Sequence, residues 1–353
     1  MKVLVIGGTG AIGTPLIEQL SQIEGAEIYA TSRKERKSSG NIKWIQGNVH
    51  NDSFLDGLLN IEYDAIFDFM VYGLEELKGK LPLLLKSTKQ YFFFSSSRVY
   101  ADSLSPLTED SPRLLDFCKD QCYLHTEEYA LAKAREENLL FSSKATNWTI
   151  IRPYITYNTE RLQLGVYEKE NWLFRALQGR TVIFPKDISE KNTSLTYGSD
   201  VVKAVIQLIG KKEALGEAFH VVTDEQITWQ NVLDIYKDIV KEKTGIVMKI
   251  VQPENSNDLH KVWPYPSQIS YDRLLNRSFN SNKIIKIAGK IDFLSVRDGL
   301  EYCLGQFLDH VKWRSLNIAF EAWSDKQFRE KTPLSVIPGN KARLMYIKSR
   351  YFL

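Results

Sequence analysis

Apolar residues in the first half of the chain fall into short unbroken runs, separated by segments in which they recur every three or four positions. KVLVIGG at 2–8 is the first such run, continuous and rich in β-branched residues, and it predicts a strand buried on both faces. Ile12, Leu16, Ile17 and Leu20 follow at helical spacing and predict a helix over 13–21. AEIYATSR (26–33), IKWIQGNV (42–49), YDAIFDFM (63–70), QYFFFSSS (90–97) and WTIIRPYITYN (148–158) predict further strands, the last entered from a long helix over 124–142. Strands alternating with helical segments predict βαβ units, hence an α/β protein built on a doubly wound parallel sheet.

Beyond 158 the pattern loosens. NWLFRALQG predicts a helix ending at Gly179, SDVVKAVIQLIGK a helix capped by Ser199 or Asp200, and GEAFHVVT a strand. TWQNVLDIYKDIVKEKTG predicts a helix capped by Thr228 and stopped by Gly245. There is no internal repeat and no low-complexity linker, so a smaller α/β lobe interwoven with the first domain is expected. The expected division is 1–158, with about 194–224 returning to it, then 159–309, then an extension over 310–353. That extension carries nine Lys and Arg among Trp313, Phe320, Trp323, Phe328, Tyr346, Tyr351 and Phe352. Basic residues interleaved with aromatics can serve single-stranded nucleic acid. The placing of the aromatics favours burial against the chain's own body or a second subunit instead.

Composition narrows the classes. The 353 residues are 43% hydrophobic and 25% charged, ordinary for a protein with a sizeable core. No apolar run approaches the roughly 20 residues that span a bilayer, so no membrane partner is expected. The opening MKVLVIGGTG reads as a buried strand, not a signal peptide. Cys118, Cys122 and Cys303 form neither a disulfide framework nor a zinc set. Reduced thiols in the cytoplasm and no metal are therefore expected. A net charge of +3 is too small to argue for nucleic acid by itself.

The chemistry begins directly after the first strand. Gly7, Gly10 and Gly13 form G-x-x-G-x-x-G between that strand and the first helix. Glycines are needed there because the turn demands angles that side chains forbid and a pyrophosphate must approach the main chain. The helix N-terminus then supplies N–H donors and partial positive charge. Gly7, Thr9, Gly10, Ala11, Ile12 and Gly13 are accordingly expected to bind a dinucleotide, with Asn48 and Val49 beside the adenine. An acidic residue at the tip of the second strand would select NAD. Ser32, Arg33 and Lys34 stand there instead, which favours NADP, with NAD as the alternative and Arg33 as the phosphate clamp.

These residues resemble the extended short-chain dehydrogenase/reductase family, the NAD(P)-dependent nucleotide-sugar epimerases, reductases and dehydratases of Rossmann fold. The resemblance covers roughly residues 1–300 and rests on GGTGAIG (7–13), SSSRVY (95–100), YALAK (129–133) and IRPYITYN (151–158). Weaker echoes are SLTYGSDVVKAV (194–205) and FNSNKI (279–284). It implies that Tyr129 is the general acid/base on the substrate hydroxyl or keto oxygen. Lys133, one helical turn on, would lower the phenol pKa and hold the nicotinamide ribose. Ser96 would hydrogen-bond the oxygen on which charge develops. A homodimer and a nucleotide-sugar substrate are implied as well.

Departures bear on the reaction. The dehydratases place an acid just after the catalytic Ser or Thr, where Ser97 and Arg98 stand here, and a 4,6-dehydratase is disfavoured. DFMVY (68–72) replaces small residues beside the cofactor, so local packing must differ. Thr193 replaces an Arg that contacts the nucleotide phosphates, leaving Arg273 and Arg277 as alternative diphosphate clamps, with Asn171 and Ser97 also candidates for substrate contact. Arg152, before Pro153, reads as support for the fold. The competing reading is a catalytically silent relative that binds RNA or senses redox state.

Overall fold

The computed structural model describes residues 1–352. Its first strand, β1 (Lys2–Ile6), has Val3, Leu4, Val5 and Ile6 fully buried, as a β-branched run covered on both faces should. Around it pair β2 (Glu27–Ser32), β3 (Ile42–Gln46), β4 (Ala65–Asp68), β5 (Tyr91–Phe94), β6 (Trp148–Pro153) and β7 (Glu217–Val221). All seven are parallel, in the order β7-β6-β5-β4-β1-β2-β3. The chain moves outward from β1 through β2 to β3, then returns to the other side at β4. The reversal between β1 and β4 leaves a crevice at their carboxyl ends, where open α/β sheets bind ligands.

Helices cover both faces. On one, Leu16, Ile17 and Leu20 of α1 (Gly13–Ser21) pack with Val201, Val202 and Val205 of helix Gly198–Ile206 against Val3, Val5 and Phe67. On the other, Leu55 of α2 (Asp52–Leu58), Leu77, Leu81 and Leu84 of α3 (Leu74–Lys86) and Leu140 of α4 (Tyr129–Phe141) pack on Leu4, Ile6 and Ile66.

The chain forms two compact units. The first comprises Met1–Thr156, Ser194–Asp224 and Ser278–Leu294; the second comprises Tyr157–Thr193, Glu225–Arg277 and the chain from Ser295 on. The sequence reading assigns 278–294 to the second lobe, but it returns to the first. Ser281 donates to the Val222 carbonyl at 2.7 Å, and the Leu294 amide donates to Asp200 at 2.7 Å. The segment from 310 on is part of the second unit and not a separate extension.

Several predicted elements come out shorter. The third strand stops at Gln46, and the sixth at Pro153, with Thr156–Tyr157 a separate short strand. The predicted helix over 124–142 begins only at Tyr129, after a separate turn at Gln121–Leu124. Within the second unit, helix Trp229–Thr244 has Thr228 and Asn231 in a reciprocal capping box and stops at Gly245 with φ 73°. Its Tyr236 stacks on Trp172, ring centres 4.3 Å apart. Among the described residues no helix is long and apolar enough to cross a membrane, and no cluster of metal-ligating side chains occurs.

Candidate active site

The glycine loop turns at Gly7, whose φ of 72° suits glycine, and the Gly7 amide donates to Thr31 Oγ1 at 3.1 Å. A side chain at Gly7 would meet Met70 Sδ at 2.9 Å, because Met70 of the DFMVY segment lies over the loop. Gly13 lets α1 approach the loop: a Cβ there would stand 2.6 Å from Gly8 Cα. Gly10 faces open space, with nothing within 4 Å of an added Cβ. The N-terminus of α1 has Ile12 at its cap and receives no side-chain hydrogen bond. The Thr14 amide donates to the Gly10 carbonyl at 3.1 Å and Pro15 has no N–H, so it is the Gly13 amide at the start of the helix that faces a ligand together with the loop.

Beside the loop is a cleft of about 300 Å³ lined by Gly7, Thr9, Ser32, Arg33, Asn48 and Met70, among others. It gathers three stretches that the sequence assigned to a dinucleotide: the glycine loop, the tip of β2, and the Asn48–Val49 turn beyond β3. Gly47 before that turn is fixed by packing, since a Cβ would meet the Phe54 ring at 2.1 Å. Arg36 is drawn aside over the Trp44 ring at 4.9 Å, whereas exposed Arg33 is on the cleft wall. These features fit the phosphates and adenosine of a nicotinamide dinucleotide.

The catalytic candidates belong to the same unit. Ser96 ends the loop after β5 and accepts from the Arg98 amide at 3.2 Å, capping the short turn Ser97–Val99. Ser97 is fully buried and donates to the Arg152 carbonyl at 2.7 Å, which makes it a tie between β5 and β6. Tyr129 is the first residue of α4 and is 40% exposed, so its phenol can reach a ligand. Lys133, one turn on, is buried over the Phe93 ring at 4.7 Å with Glu136 at 2.9 Å. Burial pushes the Glu136 carboxyl above the usual range, with the Lys133 charge opposing.

Sequence reasoning missed what fastens these pieces. Arg98 donates to Glu128 at 2.5 Å and lies over the Tyr129 ring at 5.4 Å. Glu128 also accepts from Tyr123 Oη at 3.0 Å and from the Ala130 amide at 2.8 Å, so it caps α4. One carboxylate thus joins the Ser96 turn to the helix that carries Tyr129 and Lys133. The same cap explains why the helix begins at Tyr129. A further buried acid, Asp68 at the end of β4, accepts from the Met70 amide at 2.9 Å and from Tyr91 Oη at 2.9 Å. Burial pushes its carboxyl up to about 6, against those hydrogen bonds and the Lys133 charge. The departure of DFMVY from small residues was the available signal for both Asp68 and Met70.

The remaining substrate candidates belong to the second unit. Arg273 and Arg277 are buried, not poised at a surface. Arg273 donates to the Gly165 carbonyl at 2.8 Å and to Asp272, and Arg277 donates to Asp272 at 3.1 Å and to the Tyr271 carbonyl at 3.1 Å. Guanidinia engaged with an internal carboxylate hold the local turn together, a structural role that the charge pattern alone could not distinguish from a diphosphate clamp. Asn171 is buried near the start of helix Lys169–Ala176. Arg152 is bidentate on Glu137 at 2.8 Å through both contacts, and it also reaches Tyr100 Oη at 3.0 Å.

No family model matches the chain. It is 25% identical over 248 residues to the chloroplast stem-loop binding protein of 41 kDa b of Arabidopsis thaliana, covering 65% of this chain and 61% of that protein. It is also 25% identical over 272 residues to the UDP-N-acetyl-alpha-D-glucosaminuronate decarboxylase of Bacillus cytotoxicus, covering 70% and 82%. Among solved structures it is similar to the UDP-glucuronic acid 4-epimerase of Bacillus cereus in complex with UDP-glucuronic acid and NAD. The TM-score is 0.66 at 15% identity, over 87% of this chain and 100% of that one. The dTDP-glucose 4,6-dehydratase of Bacillus anthracis in complex with NAD gives 0.65 at 15% identity, over 89% and 98%. The resemblance read from the motifs is borne out in the fold: the chain has the architecture of the nucleotide-sugar epimerases and dehydratases.

Proposed function

We propose that the protein is an NAD(P)-dependent oxidoreductase or epimerase acting on a hydroxyl or keto carbon of a nucleotide sugar. The observation that carries this reading is the presence, in one unit, of an uncapped helix behind a glycine loop and of Ser96, Tyr129 and Lys133 around one fastened turn. The decarboxylase relative and the epimerase and dehydratase neighbours, whose names carry nucleotide sugars and NAD, support it.

In this reading the loop amides and the N-terminus of α1 receive the pyrophosphate. The nicotinamide, when bound, exchanges a hydride with the sugar carbon. Tyr129 gives or takes the proton at the sugar oxygen, and Ser96 hydrogen-bonds that oxygen as its charge changes. Lys133 holds the nicotinamide ribose, and Glu128 with Arg98 keeps Tyr129 in register with Ser96. The absence of a carboxylate at the tip of β2 and the position of Arg33 on the cleft wall support NADP, although the solved neighbours hold NAD.

Two measurements test this. Titration with NADPH and NADH should show tighter NADPH binding, and Arg33→Ala should weaken NADPH by about ten- to a hundredfold with NADH little changed. Equal affinities, or NAD retained through purification, would overturn the NADP preference. Tyr129→Phe should cut turnover of a UDP- or dTDP-linked sugar by about a hundred- to ten-thousandfold while leaving dinucleotide affinity within a few-fold. Undiminished turnover would remove Tyr129 from the mechanism. The plant relative favours a second reading, nucleic-acid binding without turnover. RNA binding by a protein that takes up neither dinucleotide would establish it.

A further inference from the structure

The second unit separates its charges. Helices Ile318–Phe328 and Asn340–Tyr351 and the segment between them contain three carboxylates: Glu321, Asp325 and Glu330. All three turn inward. Arg175 holds Asp325 at 2.9 Å and Glu330 at 2.8 Å, and Arg180 holds Glu321. Asp325 also accepts from Tyr346 Oη and the Thr332 amide, each at 2.7 Å. The cations of the same region are left outside.

Helix Asn340–Tyr351 shows the result most clearly. It contains no Asp or Glu, and carries Lys341, Arg343, Lys348 and Arg350. Among the described residues none of these four pairs with a carboxylate. Arg343 and Arg350 donate instead to the carbonyls of Ile337 and Glu330, which fixes their position and leaves their charge uncompensated. One face of the helix, with Tyr346 at its centre, packs on Ile318, Ala322 and Ile337. The opposite face exposes apolar side chains: Leu344 is 69% exposed, Met345 49%, Tyr351 54% with the Arg350 guanidinium over its ring at 5.0 Å, and Phe352 beyond the helix end 78%. Residues 341, 344, 345, 348, 351 and 352 recur at helical spacing, so the lysines lie within the apolar stripe.

We propose that this stripe docks on the surface of an anionic lipid bilayer. Aliphatic and aromatic side chains laced with Lys341 and Lys348 match an interface that is apolar below and negative above. The lysine stems can lie along the acyl boundary while their ammonium groups meet the headgroups. A nucleic acid would use the cations and the two aromatic rings but would leave Leu344 and Met345 wet. A second copy meeting this face symmetrically would set Lys341 and Lys348 against the same two cations. The absence of a spanning segment, from which the sequence reading expects no membrane partner, does not bear on a face that lies on the surface. The proposal is independent of the reading of the first unit.

The test is sedimentation of the full chain with vesicles of phosphatidylcholine alone and of phosphatidylcholine with phosphatidylglycerol. The expected result is binding at least about tenfold stronger to the anionic vesicles and weakened by salt. Leu344→Glu with Phe352→Glu should abolish it, and Lys341→Gln with Lys348→Gln should lower it by about tenfold or more. All four side chains point to solvent, and an unchanged Tm would confirm that the variants fold. Equal binding to neutral vesicles, no binding to either, or binding that survives the paired Glu substitutions would overturn the proposal. So would a single-stranded RNA bound in place of vesicles, or a dimer that the Glu substitutions dissolve.

Discussion

Asp68 and His220 are both buried in the first unit, and they pull stability in opposite directions as pH falls. Burial raises Asp68 from its ordinary 3.8 to about 6, so the fold carries an unfavourable charge at neutral pH and is relieved as pH drops through 6 towards 4. His220, whose Nε2–H donates to the Asn280 carbonyl at 2.9 Å, is pushed down by burial from 6.5 to about 4. The fold keeps it neutral while the unfolded chain takes up a proton below 6.5, so stability is lost over nearly the same range. Each effect is worth about 3 kcal/mol at full development, and together they nearly cancel. Asp68→Asn should therefore make the Tm fall on acidification from pH 7 to pH 5 more steeply than in the parent protein, and His220→Gln should make it rise. Parallel Tm profiles for all three proteins would show that neither group titrates as its surroundings imply.

At the scale of elements, α1 meets the glycine loop because Gly13 has no side chain. A Cβ at that position would press on backbone atoms of Gly8 at 2.6, 2.7 and 2.9 Å, which cannot swing aside as a side chain could. Gly13→Ala should cost about 1–3 kcal/mol by thermal unfolding, and it should weaken dinucleotide binding more than it lowers stability. Retained affinity would mean that the loop is not the pyrophosphate cradle. The helix bearing Tyr129 shows where element boundaries escape a periodicity argument. TEEYALAK is good helix sequence throughout, but the Glu128 carboxylate caps the helix at Tyr129 and is itself held by Arg98 across the fold. Tyr129 and Lys133 stay one turn apart on the same helix because both lie beyond the cap.

At the scale of the molecule, the second unit is tied together by Arg175. Its guanidinium is 1% exposed and bridges Asp325, Glu330 and the Thr181 carbonyl, joining segments about 150 residues apart in sequence. Burial opposes the charge on Asp325, yet hydrogen bonds from Tyr346 and Thr332 and the neighbouring Arg175 hold its carboxyl below the usual range. Arg175→Ala would remove the buried guanidinium that Asp325 and Glu330 share, and should cost about 3–5 kcal/mol. Arg175→Met paired with Asp325→Leu should recover part of that loss. A cost under about 1 kcal/mol for Arg175→Ala would show that the network contributes little.

The sequence alone determined what depends on local repetition and on atoms a glycine lacks: buried parallel strands from β-branched runs, the helix behind the glycine loop, and a Tyr and a Lys on one face. Thr228 and Gly245 were legible for the same reason, since caps act within a few residues of where they stand. Only the tertiary structure decided which charges meet. Arg273 and Arg277 read as diphosphate clamps until Asp272 and the Gly165 carbonyl are seen to engage them. Arg98 gave no sign of its tie to Glu128, thirty residues on. The segment after 310 read as basic from its sequence, but only the fold shows that its acids turn inward onto Arg175 and Arg180. The physical reason is the same in each case: periodicity reports which face of an element is buried, whereas a charge is satisfied by whatever the fold brings within about 3 Å of it, and that partner can come from anywhere in the chain.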